Sequence, residues 1–325
     1  MKQLSRCAVV ICICVSLWPA LVAAQQEYPN KPIRVIVPFA PGGSTTILAR
    51  IFGQKLTESW GQQVIVDSRG GGNTVIGTEA VAKAPPDGYT LLFKGNSQVI
   101  NSLLFSNIPY DPIKDFAPVA TFCVQQFVLV LSPSVPANTL QELIALAKAK
   151  PGQLNYASPG SGGIQHLAGE LLSMSAGIKM QHIPYKGSGP LIPDLMAGQV
   201  QMSFQSPSVA VPNVKAGRLK GVAVTGEQRM SALPQVPTFS QAGLPEITAN
   251  TWFGIFAPAG TPREVINKLS VEIEKILAMT GTRDMLAGQG VEALPGTPEQ
   301  FAALMRADKV KWDKVIKSAN IKIEN

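Results

Sequence analysis

Two segments, one echoing the other, constrain the fold more than any other part of the chain. "VIVPFAPGGSTTILAR" (35–50) and "LNYASPGSGGIQHLAGELL" (154–172) each pass from an apolar, strand-like run through a turn of proline, glycine and hydroxyl residues into a helical period. The first turn has two prolines, two glycines, three hydroxyls and no charge, and Pro41 and Pro159 lie 118 positions apart, about one domain length. Their flanks are otherwise unlike, so the echo is architectural and not a sequence repeat. It predicts two α/β lobes, each presenting a glycine-rich strand-to-helix turn at the carboxyl edge of its sheet, where open α/β sheets bind ligands.

The rest of the chain keeps this alternation, the signature of parallel sheets covered by helices. Strand-like runs fall at 33–37, 64–66, 89–93, 127–131, 154–157, 180–185, 200–204, 219–225 and 252–258. Thr139, Thr261 and Thr297, each followed three residues on by Glu or Gln, predict capping boxes at helix starts; Pro262 and Pro298 fall at the first helical position. Phe301, Leu304, Met305, Trp312, Val315 and Ile316 trace an apolar stripe that reads as core packing.

The first 24 residues are of another kind. Lys2 and Arg6 precede the apolar run "CAVVICICVSL" (7–17), and Val22 and Ala24 occupy small-residue positions before Gln25. This is the pattern of a secretory signal cleaved near Ala24-Gln25, with an uncleaved anchor as the alternative. Three of the four cysteines lie in that segment. Cys123 then has no internal disulfide partner, and with no His, Lys or Arg near it in sequence it reads as a small buried hydrophobe. Loss of Lys2 and Arg6 lowers the formal charge from +7 to +5. Such a mild positive field suits anions, without the clustered, aromatic-interleaved basic patch of a nucleic-acid binder.

Unpaired backbone N–H groups and the positive end of the helix dipole let a helix N-terminus hold a carboxylate or phosphate without formal charge. Ser44, Thr45, Ser158 and Ser161 add hydroxyl donors, and Gly42, Gly43, Gly160, Gly162 and Gly163 permit close approach. A third cluster, "DSRGGGNTVIGTEAVA" (67–82), offers Asn73 and Thr74, with Arg69 a surface charge in the plain structural reading. "FKGNSQ" (93–98) adds Ser97. In "HIPYKGSGP" (182–190), Lys186 is either a carboxylate partner or a solvated charge. His166, in the first turn of a helix, is placed to donate to an anion, whereas His182 reads as packed or surface. Enzyme motifs are missing: no H-E-x-x-H, G-x-S-x-G or Walker pattern occurs, and "GSGGIQH" does not complete a dinucleotide fingerprint. The glycine-rich turns carry no Asp or Glu, as expected of a site that holds a ligand and does not react with it. No catalytic residue, cofactor or metal is expected.

The ordered motifs "YPNKPIRVIVPFAPGGSTTILAR", "VIVDSRGGGNTVIGTEAVAKAPPDGYTLL", "NIPYDPIKDFAPVA", "SPGSGGIQHLAGELL", "HIPYKGSGPLIPDLMAGQVQMSF", "VPTFSQAGLP" and "WFGIFAPAGTP" closely resemble the substrate-binding proteins of tripartite tricarboxylate transporters, the Bug-type receptors. The match runs from about Tyr28 to the C-terminus. The resemblance implies a type II periplasmic-binding-protein fold, two α/β lobes closing on a small organic acid, delivered to a membrane permease. It implies that Phe39 to Thr46, including Pro41, holds one ligand carboxylate and that Ser158 to Gly163 contributes across the cleft. Family members commonly carry Asp where this chain has Thr46, and often Asp in place of Gln205; the neutral residues here favour a dicarboxylate, aliphatic or aromatic, over an amino acid. The expected lobes are 25–123 with 250–325, and 124–249. The expected protein is a monomeric periplasmic receptor, with a sensor docking on a signalling partner, or an enzyme on the same scaffold, as alternatives.

Overall fold

The structure, a computed structural model, describes residues 28–39, 41, 44–71, 74–105 and 108–321. The signal segment at 1–24 lies outside them, as do Gly42, Gly43 and Asn73.

Two sheets organise the chain. The first contains β1 (Ile33–Val37), β2 (Val64–Ser68), β3 (Thr90–Gly95), β4 (Phe116–Gln125), β10 (Thr251–Pro258) and β11 (Glu292–Gly296) in the order β11-β4-β10-β3-β1-β2. The second contains β5 (Val128–Leu131), β6 (Asn155–Ser158), β7 (Gln181–Pro184), β8 (Met202–Gln205) and β9 (Lys220–Val224) in the order β7-β6-β8-β5-β9. Within each, a parallel group (β2-β1-β3 or β7-β6-β8) meets antiparallel crossing strands, β10 and β5. Ile36 of β1 and every residue of β10 are buried, because helices cover both faces.

The helices are α1 (Ser44–Trp60), α2 (Val75–Ala82), α3 (Ser97–Leu104), α4 (Leu140–Ala149), α5 (Ile164–Ala176), α6 (Ser188–Met196), α7 (Pro207–Lys215), α8 (Arg263–Ala278), α9 (Thr280–Gly288) and α10 (Pro298–Ser318). Thr297 forms the full capping box with Gln300, with Pro298 in the first turn. At Thr139 the box is half formed: its hydroxyl accepts from the Glu142 N–H, but Glu142 reaches back to the Asn138 N–H instead. The box expected at Thr261 is absent, because its hydroxyl donates to Pro258 O and α8 begins after Pro262. Sequence patterning also left out β11, whose "EALPG" lacks β-branched residues.

The chain crosses between sheets at Gln126-Phe127 and again between Val224 and Thr251. These crossings are tied together: Phe127 N–H donates to Thr225 Oγ1 (2.8 Å), Thr225 Oγ1 to Asn250 Oδ1 (2.6 Å), and Asn96 Nδ2 to Asn250 O (3.1 Å). Helix α10 serves both halves. Phe301 and Met305 pack beside Trp252 and Phe256 of the first sheet, while Trp312, Val315 and Ile316 join the second-sheet core with Leu129 and Phe204. Gly254 makes the first contact possible, since a Cβ there would lie 2.4 Å from the Phe301 ring.

Candidate functional site

A cleft of about 1010 Å³ opens between the two sheets, at the upper end of small-molecule pockets. Its walls are built at helix starts. Ser44 opens α1, Thr74 precedes α2, Asn96 and Ser97 open α3, Gly163 and Ile164 open α5, Ser188 opens α6, and Ser206 and Pro207 open α7; all line the cleft. None of these six helices has an acidic residue in its first turn. By contrast α4, α8 and α10, which start elsewhere, carry Glu142, Glu264 and Glu299 there, the usual complement to the helix dipole. Helix α9 has neither feature. Among the described lining residues Glu292 is the one charged side chain, and its Oε1 accepts from Gln126 Nε2 at 2.9 Å. Ile100, Leu104, Phe105, Phe127, Phe253 and Met230 supply apolar wall. The cleft thus combines converging positive dipole ends, uncharged donors and a surface for a carbon skeleton.

The residues singled out in sequence divide into two groups. Phe39, Ser44, Thr45, Thr74, Ser97, Ser161, Gly162 and Gly163 line the cleft. Ser97 Oγ is buried and makes no hydrogen bond among the described residues. Thr74 sits in the left-handed region (φ 77°), and its Oγ1 accepts from Asn101 Nδ2 at 3.0 Å. The other group stands off the lining. Pro41 and Lys186 are exposed, and Gly160 is turned into its own loop, where its carbonyl accepts from Ser158 Oγ. Thr46 is 1% exposed, with Oγ1 3.4 Å from Ser68 Oγ. Gln205 is fully buried and donates to Ser203 Oγ at 2.7 Å. The Thr46 and Gln205 side chains therefore lie behind the wall, and the carboxylate that does reach the cleft, Glu292, comes from a strand that patterning did not mark.

His166 and His182 were expected to act apart, with His166 donating to an anion. Instead their rings stack, with centroids 3.7 Å apart and planes 8° from parallel. His166 Nδ1 accepts from the Gly162 N–H (3.0 Å), which fixes its proton on Nε2, 3.8 Å from Glu170 Oε1. Ser158 Oγ donates to Gly160 O (2.8 Å) and so takes its 2.7 Å contact with His182 Nε2 as an acceptor. Tyr156 OH closes the cluster on Glu170 Oε1 at 2.5 Å. Burial holds His166 down at about 4; burial and then His166 hold His182 at about 3; burial raises Glu170. Both imidazoles are neutral near pH 7. They brace the turn at 158–163, where Gly162 takes φ 75°, and the Gly162 N–H is taken up by His166 and not by a ligand. Cys123 is buried and free, its thiol pushed up by burial.

The receptor pattern of the tripartite tricarboxylate transporter family matches residues 48–321, most of the chain. The chain belongs to that receptor family. BugT of Bordetella pertussis is 36% identical over 307 residues, covering 94% of each chain. A UPF0065 protein from the tcbD-tcbE intergenic region of Pseudomonas sp. strain P51 is 37% identical over 97% of this chain and 95% of its own. Among solved structures, Rpa4515 of R. palustris with adipate is 32% identical with a TM-score of 0.78, covering 91% of this chain and 99% of that one. MatC from Rhodopseudomonas palustris with bound malate is 29% identical with a TM-score of 0.73, covering 89% of this chain and all of that one. The periplasmic binding protein BugD is 30% identical with a TM-score of 0.74, covering 91% of this chain and all of its own, and the receptor described here shares the two-lobe α/β fold. Among its described residues no helix is long and apolar enough to cross a membrane.

Proposed function

We propose that the protein is a periplasmic receptor that captures a small dicarboxylate, aliphatic or aromatic, and presents it to a membrane permease of the tripartite type. One observation carries this reading: six helix N-termini free of first-turn acids converge on a cleft whose described lining holds a single charged side chain. Uncharged donors at dipole ends suit carboxylates, and the apolar wall suits the carbon chain between them. The adipate and malate bound by two structural neighbours are acids of this class. Ligand contacts come from Phe39, Gly42, Gly43, Ser44, Thr45, Asn73, Thr74 and Ser97 in the first lobe and from Ser161 and Gly163 in the second. The lobes divide at Gln126-Phe127, just past the end of β4, and at 249–250, the signal is removed near Ala24-Gln25, and the receptor acts as a monomer. Closure on a ligand that touches both lobes is a population shift toward the closed form.

A thermal-shift screen against C4–C6 dicarboxylates, citrate, aromatic acids and acidic amino acids tests this reading, because a ligand that binds only the native state raises its apparent stability. Selective shifts with dicarboxylates are expected. Shifts with amino acids alone would contradict it, as would a folded protein indifferent to every acid.

A further inference from the structure

The cleft gathers anion-binding helix ends, yet among its described lining residues there is no lysine or arginine. The nearest cation by connectivity lies behind the wall. Lys94, at the carboxyl end of β3, is 0% exposed, and its Nζ makes one hydrogen bond, to Thr78 Oγ1 at 3.0 Å. Thr78 in turn donates to the carbonyl of Thr74 (2.8 Å), a cleft residue, and the next residues along the strand, Gly95, Asn96 and Ser97, also line the cleft. One hydroxyl therefore separates the amine from the ligand's wall.

Among the described residues no acid neutralises it. Helix α3 and strand β10, whose Gly254 pairs with Lys94, carry no charged residue. Glu79 of α2 is held by Lys83 at 2.6 Å. Asp308 of α10 takes Trp252 Nε1 at 2.7 Å and lies 3.6 Å from Lys311. Asp111 accepts from the N–H groups of Ile113 and Lys114, and Asp115 from that of Asp111. Tyr110 faces Thr78 as a phenol whose ionisation burial opposes. An ammonium has three donors to satisfy and a buried charge to balance. Among the described residues Lys94 has one acceptor and no counter-charge.

We infer that Lys94 is the counter-ion of the bound acid: it takes up a proton when an anion fills the cleft, so that capture of ligand is coupled to uptake of one proton. The inference rests on the carboxylate reading above. Burial alone brings the amine down to about 7, so in the empty receptor it is largely neutral above that pH. A nearby opposite charge raises such a group by about 1–3 units. Above pH 7 and below the raised value, the liganded form binds one proton more than the empty form, and affinity falls as pH rises. Below pH 7 both forms are charged and the dependence flattens. Thr74 and Thr78 transmit the field, which makes Lys94 a positioning residue that does not touch the ligand.

The test is calorimetric titration of the full chain with adipate and with malate, in phosphate and in Tris at pH 8, with affinities from pH 6 to 9. Above about pH 7 both acids are essentially fully ionised, so there the ligand contributes no proton. At pH 8 the buffer difference should report uptake of about 0.4 to 0.9 proton per acid, and Kd should rise by up to about tenfold per pH unit above pH 7. Lys94→Met, matched in length and without charge, should abolish both while still binding the acid more weakly; Lys94→Gln serves if that variant does not fold, and the wild-type buffer comparison needs no variant. Binding without proton uptake, or uptake unchanged in the variant, overturns the inference and leaves the carboxylate reading intact. No heat and no thermal shift with any acid of the panel at either end of the pH range overturns both.

Discussion

Ser158, His182, His166 and Gly162 form a chain of contacts in which every proton is assigned, and that chain sets how the second-lobe turn responds to acid. Protonation of His166 would place a hydrogen on Nδ1, against the Gly162 N–H that now donates to it. The unfolded chain accepts these protons near pH 6.5, whereas the folded histidines wait until about 4 and about 3. Between those values the unfolded state binds more protons, so folding stability falls as pH drops through about 6.5 to 4. Each histidine adds up to about 1.4 kcal/mol per pH unit to that slope. Urea unfolding at pH 7 and pH 5 should show a shallower loss in His182→Gln than in the wild type; equal losses would contradict the assignment. Ser97 makes the complementary case, a buried hydroxyl at the cleft wall with no partner among the described residues. Ser97→Ala should weaken adipate binding about 2- to 10-fold, the range for one hydrogen bond, with no loss of thermal stability in the unliganded protein.

At the scale of elements, helix starts decide the site. The absence of acids from the first turns of α1, α2, α3, α5, α6 and α7 was legible in the sequence once helix boundaries were in hand, and it separates cleft-facing starts from those of α4, α8 and α10. The two proline-glycine turns were legible because backbone chemistry is local. What a side chain does behind such a turn was not, because it depends on partners far along the chain: Thr46 turns to Ser68, Gln205 to Ser203, and His166 to a histidine sixteen positions on. Glu292 escaped notice for the same reason, its strand being recognisable only through pairing with β4. Since Thr46 and Gln205 stand behind the wall, Thr46→Asp and Gln205→Asp should lower stability by burying a charge, and should not create selectivity for amino acids. Denaturation midpoints and the acid screen check the two halves of that expectation. Gly254→Ala should destabilise by about 1–3 kcal/mol, the range for overpacking, because its Cβ meets both the Phe301 ring and, at 2.9 Å, Ala120 O. A midpoint within error of wild type would show that α10 can shift off β10.

Across the whole molecule the two lobes share more than their crossing strands. Helix α10 puts one end into the core of each, α3 adds Val99 to one and Ile100 to the other, and Thr225 joins the two crossings. In the proposed receptor such a shared back wall keeps the rear packed while the cleft side opens and closes, and the ligand's contacts to both lobes set the balance. The alternation of strands and helices and the paired turns made this two-lobe α/β plan legible; the double duty of α10 was not, since its apolar stripe reads the same whichever core it enters. The reading of the cleft as a site for two carboxylates rests on anionic ends held by uncharged helix termini. Titration of the protein with adipate beside its neutral analogue hexane-1,6-diol separates charge from shape. The account predicts that adipate binds and that the diol, equal in length and able to fill the same apolar wall, binds at least about a hundredfold more weakly, as for loss of charge-assisted hydrogen bonds at both ends. Equal affinity for the two would contradict it.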